Sequence, residues 1–300
     1  MLDNHRLRLL RLFALHGSIS ATAEAAGFSA SAVSQQLAAL EREAGAALLE
    51  RSARSAVLTD AGRALAGHAA TVLAAVEAAE ADLAALGSEV AGRVTVGAVP
   101  TTALTLGRAL AGVQRAHPRL EVVLRQVHAG EAVHGLHTRE LDVAVVDEWP
   151  PHRPATVPGL SAVRLRRDPL VLAVPVGHSL AGEPGPVALT GAVLAGQTLL
   201  CAPTDQPSRA ATDRLLAAGS VQPAARWEFE GLATIAALVA GGSGVAVLPR
   251  LAIAQLPPGS VVTRELSPAR FRRISALVRS ASRRAPTVAR VLAAIRARER

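Results

Sequence analysis

Apolar residues near the start of the chain recur at helical spacing and mark three short segments. The clearest stripe advances in steps of four and three, and it consists of Val33, Leu37, Leu40 and Ala44. It predicts a helix over residues 30–44 with one buried face, capped by Ser29 and ended by Gly45. An apolar helix and a short helix capped by Ser20 and ended by Gly27 precede it. The pattern therefore predicts three helices joined by tight turns.

The outward face of the third segment carries small or polar side chains. Its members are Ser29, Ala30, Ser31, Ser34, Gln35 and Ala38. Such groups allow a close approach to a DNA groove, and their hydroxyl and amide atoms can bond to phosphates and base edges. Helices arranged in this way are typical of a helix-turn-helix motif. The alternative is a core helix whose serines bond to their own backbone.

Two short apolar runs around a polar tip follow the third helix. Residues 48–51 and 56–58 are predicted to form the strands of a hairpin, with Arg51 and Arg54 close to its tip. Arginines at such a tip can contact backbone phosphates. We therefore predict a wing whose arginines contact DNA.

A regular apolar stripe runs through residues 59–88. Its steps alternate between four and three, as in coiled coils, along Leu65, Ala69, Val72, Val76, Ala79, Leu83 and Leu86. At about 1.5 Å per residue this helix is roughly 40 Å long, so a single domain does not cover its whole length. We predict that two copies of the chain pair through it. Packing against the chain's own C-terminal domain is the alternative.

From residue 89 onward, apolar β-branched runs alternate with helical segments. The order over residues 93–148 is strand, helix, strand, helix, strand, which is typical of an α/β unit. A second set of apolar strands begins near residue 163, and the run 272–279 is expected to return to the first set. The chain then ends in an amphipathic helix.

The net charge of +8 is concentrated in one part of the chain. Residues 264–300 contain 11 arginines and only two acidic residues, so the remainder is close to neutral. Net charge alone is therefore weak evidence for nucleic acid binding. We expect a solvated arginine-rich face over residues 270–300, with auxiliary DNA contact as the alternative.

Composition argues against several classes of protein. The single cysteine, Cys201, cannot form an internal disulfide, which favours a reducing cytoplasm. Gly, Pro, Thr or Gln interrupt the uncharged runs 184–204 and 231–249, so neither is predicted to cross a membrane. The chain has no lysine and hence no P-loop, and Val245 stands where a nucleophile elbow requires glycine. We therefore predict no enzyme activity.

Four side chains with metal-ligating atoms share one predicted helix, and they are His128, Glu131, His134 and His137. Their spacing is compatible with a metal site on one helix face. An exposed polar face is the preferred interpretation, so we predict neither a metal nor a cofactor.

Motifs within residues 1–63 carry a family resemblance. In order along the chain they are the turn at Ser18, SAVSQQLAALE at 31–41, Gly45, LLER at 48–51 and LTDAG at 58–62. They resemble the winged helix-turn-helix of LysR-type transcriptional regulators. The chain departs from the family at Leu49, where Phe is usual, and at Ala30 and Ser31, where Gln and Pro are usual. Because that helix start lies against DNA in the family, no base preference can be transferred.

The rest of the chain is similar to the effector-binding domain of the same family. The similarity is carried by AHPRLEVVL, RELDVAVV, PLVLAVPVGHSLA and ALVAGGSGVAVLP. The resemblance implies a winged helix-turn-helix at 1–58, a linker and dimerisation helix at 59–88, and at 89–300 a two-lobed α/β domain like periplasmic solute-binding proteins. Lobe I is expected near 92–162 and 268–300, and lobe II near 163–267.

The resemblance also implies a function. It predicts a sequence-specific DNA-binding regulator that responds to a small effector bound between the lobes. Its expected partners are promoter or operator DNA, a second copy in a homodimer, with a homotetramer as the higher form, and RNA polymerase as a further candidate. The alternative is a cytoplasmic solute-binding module that does not bind DNA.

Polar residues at three strand ends are candidate effector ligands. They are Thr101, Thr102, Thr204, Gln206, Leu232 and Thr234. Ligands of open α/β sheets bind beyond the carboxyl ends of the strands, where helix N-termini offer free N–H groups. These residues suit a small anion or a polar metabolite, and the alternative is that they cap their own helices.

Overall fold

The N-terminal domain is a three-helix bundle followed by a hairpin. The computed structural model describes residues 1–52, 55–86, 90–149, 151, 157–183 and 185–298. The elements of this domain are α1 (Asn4–His16), α2 (Ile19–Ala26), α3 (Ala30–Ala44), β1 (Leu49–Arg51) and β2 (Ala56–Leu58). Buried Leu10, Phe13, Leu37 and Leu40 hold the helices together. Each such side chain contributes roughly 1.5–3 kcal/mol when it is buried.

Capping residues set the turns between these helices. Ser18 Oγ accepts a hydrogen bond from the backbone N of Ala21 at 3.1 Å, so Ser18 caps α2. The prediction that Ser20 is the cap is wrong, because Ser20 already lies in the first helical turn. Gly27 and Gly45 adopt φ values of 70° and 64°, a left-handed conformation that favours glycine and ends α2 and α3 as predicted.

The linker helix α4 (Asp60–Leu86) follows directly after β2. Thr59 Oγ1 accepts a hydrogen bond from the backbone N of Gly62 at 2.9 Å and so caps the helix. Ala66 and Ala69 are buried in the core of the N-terminal domain. Within the described ranges, neither this helix nor another is both long and apolar enough to cross a membrane.

The C-terminal domain begins with a parallel α/β unit, lobe I. Its elements are β3 (Gly92–Ala98), α5 (Pro100–Ala116), β4 (Leu120–Gln126), α6 (Ala129–Thr138) and β5 (Val143–Glu148). Strand β3 pairs in parallel with both β4 and β5. The predicted order of strands and helices is therefore confirmed.

Lobe II and the return to lobe I occupy the rest of the chain. The elements are β6 (Leu160–Pro175), α7 (Gly191–Leu194), β7 (Thr198–Cys201), α8 (Pro207–Ala218), β8 (Ala225–Glu228), α9 (Leu232–Ala240), β9 (Ala246–Pro249), α10 (Arg250–Ile253), β10 (Val261–Arg279) and α11 (Pro286–Arg298). A short 3₁₀ turn, Ser179–Ala181, follows β6. Strand β8 was not predicted, because it has no buried residue to produce an alternating pattern.

Two long antiparallel strands, β6 and β10, connect the lobes. Their register extends from Leu160 opposite Arg279 to Pro175 opposite Val261. Together with β5 and β9 they extend one sheet of order β4-β3-β5-β10-β6-β9 across both lobes. Val163, where lobe II was expected to begin, packs in the core of lobe I. The lobes therefore meet within these strands rather than in a loop.

Candidate DNA-binding surface and effector cleft

Helix α3 separates a buried apolar face from an outward polar face. The buried positions are Val33, Leu37 and Leu40, each at most 1 % exposed. The exposed positions are Ser29, Ala30, Ser31 and Gln35, and the half-buried ones are Ser34 and Ala38. Ser29 Oγ also accepts a hydrogen bond from the backbone N of Ala32 at 3.2 Å, so the predicted cap is confirmed. The helix therefore presents small polar groups to solvent from a packed three-helix bundle.

Arg51 of β1 is bonded to α3. Its Nη1 donates to Ser34 Oγ at 2.9 Å, and its Nη2 donates to Glu41 Oε2 at 3.1 Å. These bonds fix the first wing strand against the polar face of α3, while the side chain of Arg51 remains 36 % exposed. Arg54, the other predicted wing arginine, lies outside the described residues.

Glu41 is a residue of this surface that the sequence pattern did not reveal. Its Oε1 accepts hydrogen bonds from the backbone N atoms of Leu48 and Leu49, both at 3.0 Å. The carboxylate therefore fixes the turn from α3 into the wing. The spacing of these residues gave no signal, because their meeting depends on the reversal of the chain at Gly45.

The apolar stripe of α4 divides into two parts. The positions that contact the core of their own N-terminal domain are Leu65 and Ala69. The positions further along are Val72, Val76, Ala79 and Leu83, of which Val72 is 44 % and Leu83 is 70 % exposed. The side chain of Leu86 lies outside the described residues. The chain's own N-terminal domain covers Ala69, so Ala69 is buried without a partner helix. The expectation that two copies pair along the whole stripe is therefore not required at this position.

The two threonines at the start of α5 are bonded within the chain. Thr102 is 0 % exposed, and its hydroxyl donates to the backbone O of Val99 at 2.9 Å. Thr101 Oγ1 accepts a hydrogen bond from Arg272 Nη2 at 2.7 Å. The backbone O of Thr101 also accepts from Gln255 Nε2 at 3.2 Å, which is a contact from lobe II. The Thr102 hydroxyl is thus used in a hydrogen bond at the start of its own helix. Thr101 lies at the junction of the lobes.

A buried ion network lies beside Thr101. Arg272 of β10 is 1 % exposed, and it donates through Nε to Asp168 and through Nη1 to Asp147, at 2.9 and 2.7 Å. Asp168 of β6 also accepts from the backbone N of Leu251 at 3.1 Å. Asp147 accepts from Trp149 Nε1 at 2.7 Å. The network joins the two long strands β6 and β10 to lobe I through Asp147 and to the start of α10 through the backbone of Leu251.

Part of the C-terminal arginine-rich segment is buried, which corrects the expectation of a solvated face. The buried members are Arg272 and Arg279, and Arg264, shortly before this segment, is buried as well. Arg264 donates to the backbone O of Gly185 at 2.8 Å. Sequence spacing could not identify these arginines, because their partners come from distant parts of the chain.

The remaining predicted effector residues lie at helix starts in lobe II. Gln206 precedes α8 and Leu232 begins α9, and both are half-buried. Thr204 and Thr234 are exposed. The hydrogen bonds of Thr101 join it to Arg272 and Gln255 rather than to these residues.

Helix α6 contacts the N-terminal domain through two histidines. The ring of His134 packs edge-on against the ring of His16 in α1, with centroids 4.6 Å apart. His137 Nδ1 lies 2.7 Å from Arg11 Nη2. The expected exposed polar face is therefore an interdomain contact. This correction depends on tertiary packing, since α1 lies more than a hundred residues earlier in the chain.

The other two members of the predicted polar cluster have a structural role. His128 and Glu131 form a capping box at the start of α6, in which the Glu131 carboxylate accepts from the backbone N of His128 at 3.1 Å. In the part of the chain that the structure describes, no group of three or more His, Cys, Asp or Glu side chains could hold a metal ion.

Burial lowers the pKa of two histidines at this contact, His16 and His137, below the ordinary value. Neighbouring His134 lowers the pKa of His16 further, and Arg11 does the same for His137. Both imidazoles are therefore neutral near pH 7.

Cys201 lies at the end of β7 and is 4 % exposed. Burial raises the pKa of its thiol, an effect that nearby Arg209 only partly opposes. Arg209 is itself bonded to Glu228 of β8 and to Asp213. The thiol is therefore protonated at neutral pH and is a poor nucleophile.

These features define a class of protein. A winged helix-turn-helix that presents small polar groups is joined by a long helix to a two-lobed α/β domain with ligand-binding architecture. That combination is a ligand-responsive, DNA-binding transcriptional regulator.

The protein families that match this chain belong to the same class of protein. The family described as "LysR substrate binding domain" matches residues 87–300, and that described as "Bacterial regulatory helix-turn-helix protein, lysR family" matches residues 5–63. The chain belongs to the LysR family of transcriptional regulators.

Relatives and solved structures match four fifths of the chain or more. A probable hydrogen peroxide-inducible genes activator of Streptomyces viridosporus is 33 % identical over 97 % of this chain and 92 % of its own length. The HTH-type transcriptional regulator CbbR of Rhodospirillum rubrum is 29 % identical over 81 % of this chain and 79 % of its own. A full-length OxyR variant from Pseudomonas aeruginosa, with one cysteine replaced by aspartate, has a TM-score of 0.71 and 23 % identity, covering 99 % and 95 % of the two chains. CbnR has a TM-score of 0.53 and 23 % identity, covering 98 % and 100 %.

Proposed function

We propose that two copies of this chain bind operator DNA through α3 and the wing, and that a small molecule bound between the lobes controls them. One observation carries the proposal: α3 exposes Ser31 and Gln35 on a helix whose opposite face is buried. A helix with such groups can enter the major groove and bond to base edges. Tetramer formation and contact with RNA polymerase are extensions of the same proposal.

The linker helix supports pairing of two copies. Val72 and Leu83 are large apolar side chains that remain 44 % and 70 % exposed, and they lie on the predicted stripe with Val76 and Ala79. Exposed apolar residues at this spacing are typical of coiled-coil partners. Pairing along this part of α4 would place two copies of α3 on one DNA duplex.

Arg51 is proposed to stabilise the wing and to face phosphate from there. Its bonds to Ser34 and Glu41 hold its guanidinium beside the polar face of α3. An arginine in this position can contact a phosphate of a duplex that α3 has entered. Arg54 retains the same proposed role.

Binding to the duplex upstream of the chain's own coding region tests the DNA proposal. In fluorescence anisotropy, Gln35→Ala is expected to weaken binding by about tenfold, because one bidentate base contact contributes about 1–3 kcal/mol. Gln114→Ala is the matched control, since Gln114 is an exposed amide in the effector domain. Wild-type binding that does not fall with salt, or equal affinity of both variants, would reject this role of α3.

The ion network at the lobe junction changes the expected charge of the effector. The sequence suggested a small anion or a polar metabolite, but the guanidinium of Arg272 is already bonded to Asp147 and Asp168. An anion beside Thr101 would therefore approach two carboxylates that face one guanidinium. We propose a neutral or cationic effector for this cleft, bordered by Thr101 in lobe I and by Thr204, Gln206, Leu232 and Thr234 in lobe II.

The names of some relatives raise the question of peroxide sensing. A relative is described as a hydrogen peroxide-inducible genes activator, and one structural neighbour is an OxyR variant altered at a cysteine. In this chain the single cysteine is buried, and burial raises the pKa of its thiol. We infer that the chain responds to a bound molecule rather than to oxidation of a thiol.

A further inference from the structure

We infer a second ligand site, for a small organic anion, in the groove between the linker helix and lobe I. A cavity of about 830 Å³ opens there. Its walls include Ala78 and Asp82 of α4, Ser161 of β6, and Ser280, Arg283 and Arg284 of the segment that joins β10 to α11. A cavity of this size matches the range of about 300–1,000 Å³ that small-molecule sites occupy.

Two unpaired arginines give this groove its anion preference. Arg283 and Arg284 are consecutive and exposed, and in the part of the chain that the structure describes neither has a carboxylate partner. The buried arginines of the same segment differ, since Arg272 and Arg279 are both bonded to carboxylates. Because both arginines line the same cavity, an anion bound there is attracted by both guanidiniums. Helix α11 begins two residues later, at Pro286, so its N-terminal dipole adds to the positive potential.

Hydroxyl groups supply hydrogen bonds beside the arginines. Ser161 Oγ and Ser280 Oγ lie 2.8 Å apart, so one hydroxyl donates to the other. The accepting hydroxyl keeps its own hydrogen, which is free to donate to an oxyanion in the groove. The groove therefore combines two cations with a neutral donor.

The carboxylate of Asp82 narrows the class of ligand. Asp82 is exposed on the α4 wall, where it can accept a hydrogen bond from a hydroxyl group. A ligand that satisfies both walls carries acid groups for the arginines and a hydroxyl for Asp82. A hydroxylated dicarboxylate has this chemistry and fits the volume.

The alternative occupant of the groove is the linker helix of a second copy. Ala78 and Asp82 lie four residues apart and share a face of α4 that adjoins the exposed residues Ala79 and Leu83. The apolar stripe of a second linker helix would pack against Ala79 and Leu83, whereas the charged side chains that line the groove would bind an anion. The charge of the groove therefore favours the small ligand.

Isothermal titration calorimetry of the full chain with malate, succinate and inorganic phosphate tests this site. Malate carries two carboxylates and a hydroxyl, so it is expected to bind more tightly than succinate, which lacks the hydroxyl. The double variant Arg283→Gln/Arg284→Gln is expected to weaken malate binding by about tenfold. Asp82→Asn is expected to reduce the advantage of malate over succinate while succinate binding persists.

A matched control separates a local site from general charge. Arg290→Gln/Arg296→Gln removes the same charge from exposed positions of α11 that are not among the lining residues. Its malate affinity is expected to stay within about twofold of wild type. Equal weakening in the control, or no binding of any probe at millimolar concentration, overturns the proposal. Malate binding only after Leu83→Glu has separated two copies also overturns it, because a second copy would then fill the groove.

Discussion

Glu77 of the linker helix binds Arg279 at the end of β10, with 2.6 Å between its Oε1 and the arginine Nε. Its other carboxylate oxygen accepts from Arg139, just after α6, at 3.3 Å. Arg279 also donates to Asp142 at 2.9 Å and to the backbone O of Leu141 at 2.6 Å. A single carboxylate on α4 therefore attaches the linker helix to two arginines of lobe I.

Glu77→Gln is expected to destabilise this attachment. The substitution leaves Arg279, whose side chain is 9 % exposed, with fewer anionic partners. Because Asp142 remains, the cost is about 2 kcal/mol rather than the full value for an unpaired buried charge. Thermal unfolding should show a midpoint lowered by roughly 4 °C. Glu80→Gln, an exposed position of the same helix, should leave the midpoint unchanged, and an equal loss there would contradict the assignment.

The interdomain histidines predict loss of stability in mild acid. The folded chain holds the pKa of His16 and His137 below the unfolded value of about 6.5, chiefly by burial. Above that pH both histidines are neutral in the folded and in the unfolded chain. As pH drops below it, the unfolded chain binds protons more readily than the folded chain does, so the free energy of unfolding falls. Unfolding midpoints measured from pH 7.5 to 5.5 should decline. His16→Gln/His137→Gln should flatten the decline, whereas the exposed His68→Gln should not.

Arg272→Met is expected to be among the most damaging single changes in the effector domain. It leaves Asp168, which is 0 % exposed, without its charged partner. Breaking a buried pair from one side costs about 3–5 kcal/mol. In urea unfolding, adding Asp168→Asn to Arg272→Met should recover part of the loss, since the fully buried charge of Asp168 is then removed, although Asp147 still lacks its partner. An additive double variant would show that the two residues do not interact.

Peroxide is expected to leave DNA binding by this protein unchanged. Burial of Cys201 raises the pKa of its thiol, so the reactive thiolate is scarce at neutral pH. Anisotropy with the operator duplex should give the same affinity before and after micromolar hydrogen peroxide, for wild type and for Cys201→Ser alike. A change in wild type that Cys201→Ser abolishes would instead establish thiol sensing.

Local patterns predicted helix α3 and its caps well, and the partners of Thr101 poorly. The buried stripe of α3, its Ser29 cap and its glycine end depend on residues close together in sequence, so spacing and capping chemistry were sufficient. Thr101 was also correctly placed at a helix start, yet its partner Arg272 lies 171 residues away. No periodicity links such positions. Arg272 was consequently predicted to be solvated, although it is the centre of a buried network.

By itself, the sequence determined most of the secondary elements, the helix-turn-helix and the family, because hydrophobic period, caps and turns act over a few neighbouring residues. Only the tertiary structure decided which polar groups are free. In the folded chain His134 and His137 contact α1, and Glu77 pairs with Arg279. The Thr102 hydroxyl donates to the backbone O of Val99. The physical reason is that a buried charge or hydroxyl requires a partner in space, and the fold supplies that partner from any distance along the chain.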